Sequence, residues 1–165
     1  MFMADLVSVS DAVISDNGLY RYQLRRGWDS AKPWLDWIML NPSTADGTKD
    51  DATIRRATRF ARGWGYGGIE VYNLFAYRAT DPEELKIAID PVGPKNDYFL
   101  SMLTGDIVLA WGSTGGRFPS RVREVTLQLR RSIPIKLYCL GKTKNGEPLH
   151  PLRLSAFTKL KEWRP

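Results

Sequence analysis

The sequence predicts an α/β protein: a three-layer α/β/α sandwich with a central four-stranded parallel sheet, preceded by an N-terminal β-hairpin. Two observations predict it. From residue 35 onward, short apolar runs of strand length alternate with longer stretches of helical periodicity, which is the pattern of a parallel sheet covered on both faces. The first 30 residues carry no such alternation, and instead hold two β-prone runs around Asp16-Asn17-Gly18, a hairpin turn signal.

In the hairpin segment, "LVSVSDAVISDNGLYRYQLRRGW", Tyr20, Tyr22 and Leu24 alternate with Arg21, Gln23 and Arg25, as expected of a half-buried strand. The first parallel strand is "LDWIML" (35–40), which stops at Asn41-Pro42. A helix over 52–63 follows, with Ile54, Ala57 and Ala61 on one face. The second strand is "GIEVYNL" (68–74). Asp81-Pro82-Glu83-Glu84 then combines a cap, a proline at the first helical position and an acidic first turn, and predicts a second helix start. A third helix is expected over about 96–104, a third strand over 106–112 ("DIVLAWG"), and a fourth helix over about 119–131 that buries Val122, Val125 and Leu129. The fourth strand is "PIKLYCLG" (134–141), and a last helix is expected from Ser155 to Trp163.

At 165 residues the chain is read as one domain, with residues 1–30 as a hairpin extension and 31–165 as the core. An apolar fraction of 43% and a charged fraction of 25% are ordinary for a soluble protein. No apolar run approaches the roughly 20 residues that span a bilayer, and a signal pattern is missing at the N-terminus, so no membrane partner is expected. A single cysteine, Cys139, excludes an internal disulfide and suggests a buried thiol in a cytoplasmic protein. One cysteine and one histidine leave no set for a Cys/His zinc site, so neither metal nor cofactor is expected, although an acidic cluster could hold magnesium. The net charge of +6 points toward a polyanionic partner, and of the 6 Trp, 7 Tyr and 6 Phe most are expected in the core while exposed ones could stack on bases.

Ligands of open α/β sheets bind beyond the carboxyl ends of the strands. That rule selects Asn41-Pro42-Ser43-Thr44, Asn73-Leu74-Phe75, Trp111-Gly112-Ser113 and the loop leading to His150-Pro151. Asn41 is either a turn residue or a holder of water or ligand. Of Asp46, Asp50 and Asp51, either Asp50 or Asp51 can cap the following helix, and the others are solvated or functional. Asn73 either bonds local backbone or reads a base edge. His150 lies between prolines 148 and 151, in a loop stiff enough to hold a group in place. Arg55, Arg59 and Arg62 form a stripe that is either a solvated face or, with the arginines of 117–131, a phosphate-contacting surface.

The segments "WIMLNPSTAD", "DDATIRR", "NLFAYRATDPEEL", "GPKND", "AWG" and "GEPLHPLRLS" resemble an uncharacterised bacterial and phage family of the domain-of-unknown-function type. The order of motifs is also distantly similar to the uracil-DNA glycosylase superfamily. That resemblance implies a four-stranded parallel sheet, an Asn-Pro water-positioning loop at Asn41-Pro42, a base-reading Asn73, and a His-Pro loop at His150-Pro151 whose histidine stabilises the departing base. The position before Pro42 carries Asn41 rather than the carboxylate of other branches, and Leu152-Arg153 follow the His-Pro pair.

The expectation is therefore a nucleobase-directed enzyme that hydrolyses an N-glycosidic bond in nucleic acid, DNA ahead of RNA, or acts on a nucleotide. Asn41, aided by Asp46 or Asp51, would hold the water; His150 would stabilise the leaving base; Asn73 would read it; Trp111 or Phe75 would stack on it. Pro42, Ser43, Thr44 and Gly112 would complete the substrate pocket, and Arg55, Arg56, Arg78 and Arg153 would meet phosphates. Two alternatives stand beside this: a non-catalytic module that binds nucleic acid or nucleotide, and a nucleotide-processing enzyme using the acidic loop with magnesium.

Overall fold

The computed structural model describes residues 8–132 and 134–164. Residues 1–7, 133 and 165 of the expected 165-residue domain lie outside it, including Leu6 and Val7 of the first β-prone run.

The architecture corrects the expected one. In place of a four-stranded parallel sheet with an appended hairpin, there is a single mixed sheet of seven strands, in the order β1-β2-β4-β3-β5-β6-β7. The strands are β1 (Val9–Ile14), β2 (Arg21–Gly27), β3 (Trp34–Met39), β4 (Gly68–Asn73), β5 (Gly105–Leu109), β6 (Ile135–Cys139) and β7 (Lys161–Glu162). Three pairings are antiparallel (β1 with β2, β2 with β4, β6 with β7), and three are parallel (β3 with β4, β3 with β5, β5 with β6). The physical reason is edge satisfaction. The outer edge of β4 presents unpaired backbone groups, and β2 takes them from Leu24–Val71 to Gly27–Gly68, so the hairpin becomes part of the sheet.

The other end shows the same principle. The helix expected over Ser155–Trp163 is not formed. Residues after Ser155 turn through Thr158 N–H to Ser155 O (3.1 Å), and Lys161–Glu162 then cover the edge of β6. Trp163 N–H closes the ladder on Leu137 O at 2.8 Å. Phe157, which a helical reading would place on a buried face, is 91% exposed.

The described residues also form five helices: α1 (Ala52–Gly63), α2 (Glu84–Ile87), α3 (Asn96–Ser101), α4 (Gly112–Gly115) and α5 (Pro119–Arg131). The strong start signal at 81–84 yields only the single turn of α2. The sheet has an apolar cluster on each face. One contains Leu24, Trp37, Val71 and Val108 with Ile54, Ala57, Phe60 and Ala61 of α1. The other contains Ile38, Tyr72, Ile107 and Leu109 with Leu100 of α3 and Val125 and Leu129 of α5. Alternation along β3 serves both faces, since Trp37 and Ile38 are each fully buried.

From β3 the chain steps through α1 to β4 on one side; β5, on the other side of β3, leads through α5 to β6. The direction of travel along the sheet reverses between β3 and β5, so the carboxyl ends of these strands diverge and leave a crevice.

Candidate functional site

A cavity of about 280 Å³ opens at that crevice. Residues from six separate segments line it: Arg21 of β2, Asn41 after β3, Asp51 before α1, Asn73 closing β4, Trp111 and Gly112 after β5, and His150 after β6. Such a volume lies at the small end of the roughly 300–1,000 Å³ of small-molecule sites, which suits a compact ring rather than an extended ligand.

Each polar group is held by identifiable contacts. Asn41 Nδ2 donates to Pro42 O (3.1 Å) and Ala79 O (2.8 Å), which leaves its Oδ1 as the group available to the cavity. Asp51 is the N-cap of α1 and accepts from Ile54 N–H at 2.9 Å, which decides between Asp50 and Asp51 as the cap. The carboxylate nevertheless lines the cavity, and its charge acts on both Arg21 and His150. Asn73 is 1% exposed, and its Nδ2 has no hydrogen-bond partner. The backbone behind it is clamped: Asn96 Nδ2 donates to Asn73 O and Leu74 O (3.0 and 3.1 Å), and Arg121 Nε donates to Leu74 O (2.8 Å).

His150 Nδ1 accepts from Leu152 N–H at 3.2 Å, so the neutral ring carries its proton on Nε2. Burial holds its pKa below the ordinary value, with Asp51 opposing the shift. Gly112 has φ +71°, and a Cβ there would lie 3.1 Å from His150 Cβ, so the histidine packs where only glycine leaves room. Gly112 N–H fastens the loop to Pro148 O at 2.9 Å, and Trp111 Nε1 donates to Glu147 Oε2 at 2.6 Å. Arg153, three residues on, is the one non-glycine residue with positive φ (65°) among the described residues, which marks a strained turn.

Other sequence candidates lie elsewhere. Phe75 is buried in the core edge-on to Phe118 (centroids 4.9 Å apart) and does not line the cavity. Asp46 accepts from Thr48 and Lys49 N–H (2.8 Å each) and organises its own loop; these bonds hold its carboxyl below the usual range. Asp50 pairs with Arg26 at 2.8 Å, so the acidic loop spends its carboxylates on internal partners. Among the described residues no group of three or more His, Cys, Asp or Glu is arranged to hold a metal ion. Pro42 is buried beneath the loop, Ser43 lines the cavity, and Thr44 lines a neighbouring cleft with Arg78. Cavity and cleft share Ser43, Ala79 and Thr80.

Of the four arginines assigned to phosphates, Arg55 and Arg153 are exposed and Arg78 is half-buried in the cleft. Arg56 turns inward, stacking on Phe60 (4.7 Å) and donating to Leu154 O. Arg121 is likewise buried, paired with Asp97 at 2.6 Å. No helix among the described residues is long and apolar enough to cross a membrane.

The profile of a family described as Protein of unknown function (DUF1643) matches residues 21–152. The chain belongs to this family. Neither a curated protein nor a solved structure gives a match. Within the DUF1643 chain, the matched span begins at Arg21 and ends two residues past His150, so it contains every cavity residue named above.

Arg21 is the charged cavity residue that sequence reasoning missed. Alternation assigned it to the solvent side with Gln23 and Arg25, yet it is 2% exposed. Pairing steps from Val13 with Gln23 directly to Ile14 with Arg21, so Tyr22 is an extra residue in β2. This bulge turns Tyr22 toward Phe99 (stacked, 5.3 Å) and sends Arg21 to the face of Leu24 and Arg26. Nothing in the residue pattern marks the bulge.

Proposed function

We propose that this DUF1643 protein receives a nucleobase of a nucleic acid in the cavity and hydrolyses its N-glycosidic bond. The observation that carries the reading is the convergence of Asn41, Asp51, Asn73 and His150, from four loops, on one small cavity at the strand ends. Hydrolysis of this bond passes through an oxocarbenium-like state, and needs a held water, a base to polarise it and a donor for the departing ring.

The free Oδ1 of Asn41 accepts a hydrogen bond from the water, whose one proton stays on the product hydroxyl, and the Asp51 carboxylate takes the other proton as oxygen attacks the anomeric carbon. The C–N bond breaks, and its electron pair leaves with the base, where His150 Nε2–H stabilises the negative charge. Asn73 addresses the base edge with an amide that offers both donor and acceptor. Trp111 supplies an aromatic wall, Ser43 and Gly112 shape the floor, and Arg78 in the adjoining cleft, with exposed Arg55 and Arg153, meets phosphates. Asp51 thereby fills the role of the carboxylate that is absent before Pro42. The distant resemblance of the motif order to that of the uracil-DNA glycosylase superfamily supports this chemistry, independently of the sheet, which differs. The compartment assigned is the cytoplasm, where nucleic acid is the abundant polyanion.

The test is release of free base, or formation of alkali-labile abasic sites, from single- and double-stranded oligonucleotides carrying a panel of normal and modified bases. Release that falls about 10²-fold or more in Asn41→Ala and in His150→Ala supports the reading. Salt-sensitive binding without any product would replace the hydrolase with a binding module, and absence of both removes the nucleobase from the cavity.

A further inference from the structure

Arg21, Arg56 and Arg78 each have a buried Nε without a partner, but Arg21 is the one arginine among the described residues that lines the cavity. It is 2% exposed, it lines the cavity, and its contacts are lopsided. Nη1 donates to Ala45 O at 2.9 Å, which anchors one end of the guanidinium to the loop after β3. Nε is buried with no partner, and Nη2 makes no hydrogen bond among the described residues. Nor do the ion pairs of the described residues include it, in contrast to buried Arg26 and Arg121, which each have a carboxylate within 2.8 Å. Burial depresses its pKa to about 10 against the opposing charge of Asp51, which still leaves it charged at neutral pH.

A guanidinium offers two parallel N–H bonds from its Nε–Nη2 edge, a fork that fits two adjacent in-plane acceptors. Leaving a charged donor unpaired inside a protein is expensive, so a free fork at a cavity wall points to a ligand that completes it. Asn73 adds a second buried, unpartnered donor at the same cavity. Among the bases, guanine presents such an acceptor pair in O6 and N7, the edge that arginine takes bidentately. Uracil has its two carbonyls on opposite sides of a ring N–H and offers no adjacent pair.

We propose that Arg21 selects the base, its free Nε–Nη2 edge pairing with the O6 and N7 acceptors of guanine or of a guanine derivative that keeps both atoms. This rests on the nucleobase reading of the cavity and narrows its substrate class. Arg21 here is a specificity residue; the water and leaving-group roles stay with Asn41, Asp51 and His150.

The experiment changes the ligand before it changes the protein. Binding of unmodified protein is measured to short single-stranded thymidylate oligomers carrying one central guanine, 7-deazaguanine, adenine or uracil. Exchanging N7 for C–H removes one acceptor and leaves the fold untouched. The expected result is a preference for guanine over 7-deazaguanine on the order of 10-fold or more, as for loss of one arm of a bidentate contact. In Arg21→Lys, which keeps the charge and loses the planar fork, guanine and 7-deazaguanine should bind alike. Equal binding of the two by the unmodified protein, or preference for uracil, overturns the assignment while leaving the base pocket in place. Competition by inorganic phosphate or acetate that disappears in Arg21→Lys also overturns it, in favour of a free anion. Failure to bind any of the oligomers defeats this inference together with the nucleobase reading.

Discussion

Gly112 offers the sharpest test of whether the His150 loop is positioned for a ligand. Its φ of +71° lies in the left-handed region, where an L residue costs about 1–2 kcal/mol. Gly112→Ala adds a second effect, because the new Cβ would stand 3.1 Å from His150 Cβ. The histidine must recede by a few tenths of an ångström, straining the 2.9 Å bond from Gly112 N–H to Pro148 O. Gly146 supplies the matched control: φ is +86°, and a Cβ there meets nothing within 4 Å. Both alanine variants should therefore lose about 1–2 kcal/mol, or roughly 2–8 °C in Tm for a chain of this size. Only Gly112→Ala should also weaken base release or oligonucleotide binding, on the order of tenfold, since sub-ångström misplacement of a reacting group is costly. Calorimetry and the base-release assay, run on both proteins, separate the two terms. If both variants lose the same Tm and neither changes function, the packing of His150 on Gly112 has no part in the site.

Asp51 separates capping from chemistry: Asp51→Asn should keep the α1 cap and stay within about 0.5 kcal/mol of the parent, yet lose base release by about 10²-fold or more, whereas Asp51→Ala should also lose about 1 kcal/mol in denaturant titration. Asp36 lies beside Glu70 on adjacent strands, and burial followed by that like charge raises its pKa to about 8. Between pH 4 and 8 the unfolded chain therefore releases a proton that the folded protein keeps, so stability falls as pH rises through this window. Asp36→Asn should flatten that slope in urea titrations and stabilise at neutral pH by about 2 kcal/mol, roughly half the full shift because the side chain is only partly shielded; an unchanged slope would mean that Asp36 is ionised in the folded state. Arg56→Ala should cost about 1–2 kcal/mol by losing Leu154 O and the Phe60 ring, with no change in the salt dependence of oligonucleotide binding. Arg55→Ala and Arg153→Ala should each lower that salt slope by about one and leave Tm unchanged; the reverse pattern would exchange their roles.

The strands that carry the site were legible because their apolar runs are continuous. "WIML" and "EVYN" bury both faces, a demand that only a central strand makes, and Asn41 and Asn73 stand where each run ends. Helix α1 was legible through its apolar spacing and an aspartate cap at residue 50 or 51, both of them local features. The misread helix after Ser155 shows the limit: the segment has helical spacing, but the unpaired edge of β6 has the stronger claim on its backbone. Phe75 failed for a similar reason, since a strand-end aromatic can turn into the core as easily as toward a crevice.

By itself the sequence determined the central strands, the two long helices, an aspartate cap at residue 50 or 51 and the strand-end positions of Asn41, Asn73, Gly112 and His150. Each depends on interactions within a few residues, or on the rule that ligands meet α/β sheets at strand ends. Tertiary structure alone decided that the hairpin joins the sheet, that β7 replaces a helix, and that Arg21 enters the cavity with an unpaired fork. Those outcomes depend on which backbone edges find partners and on one bulged residue at Tyr22, and such long-range choices leave no periodic trace in the chain.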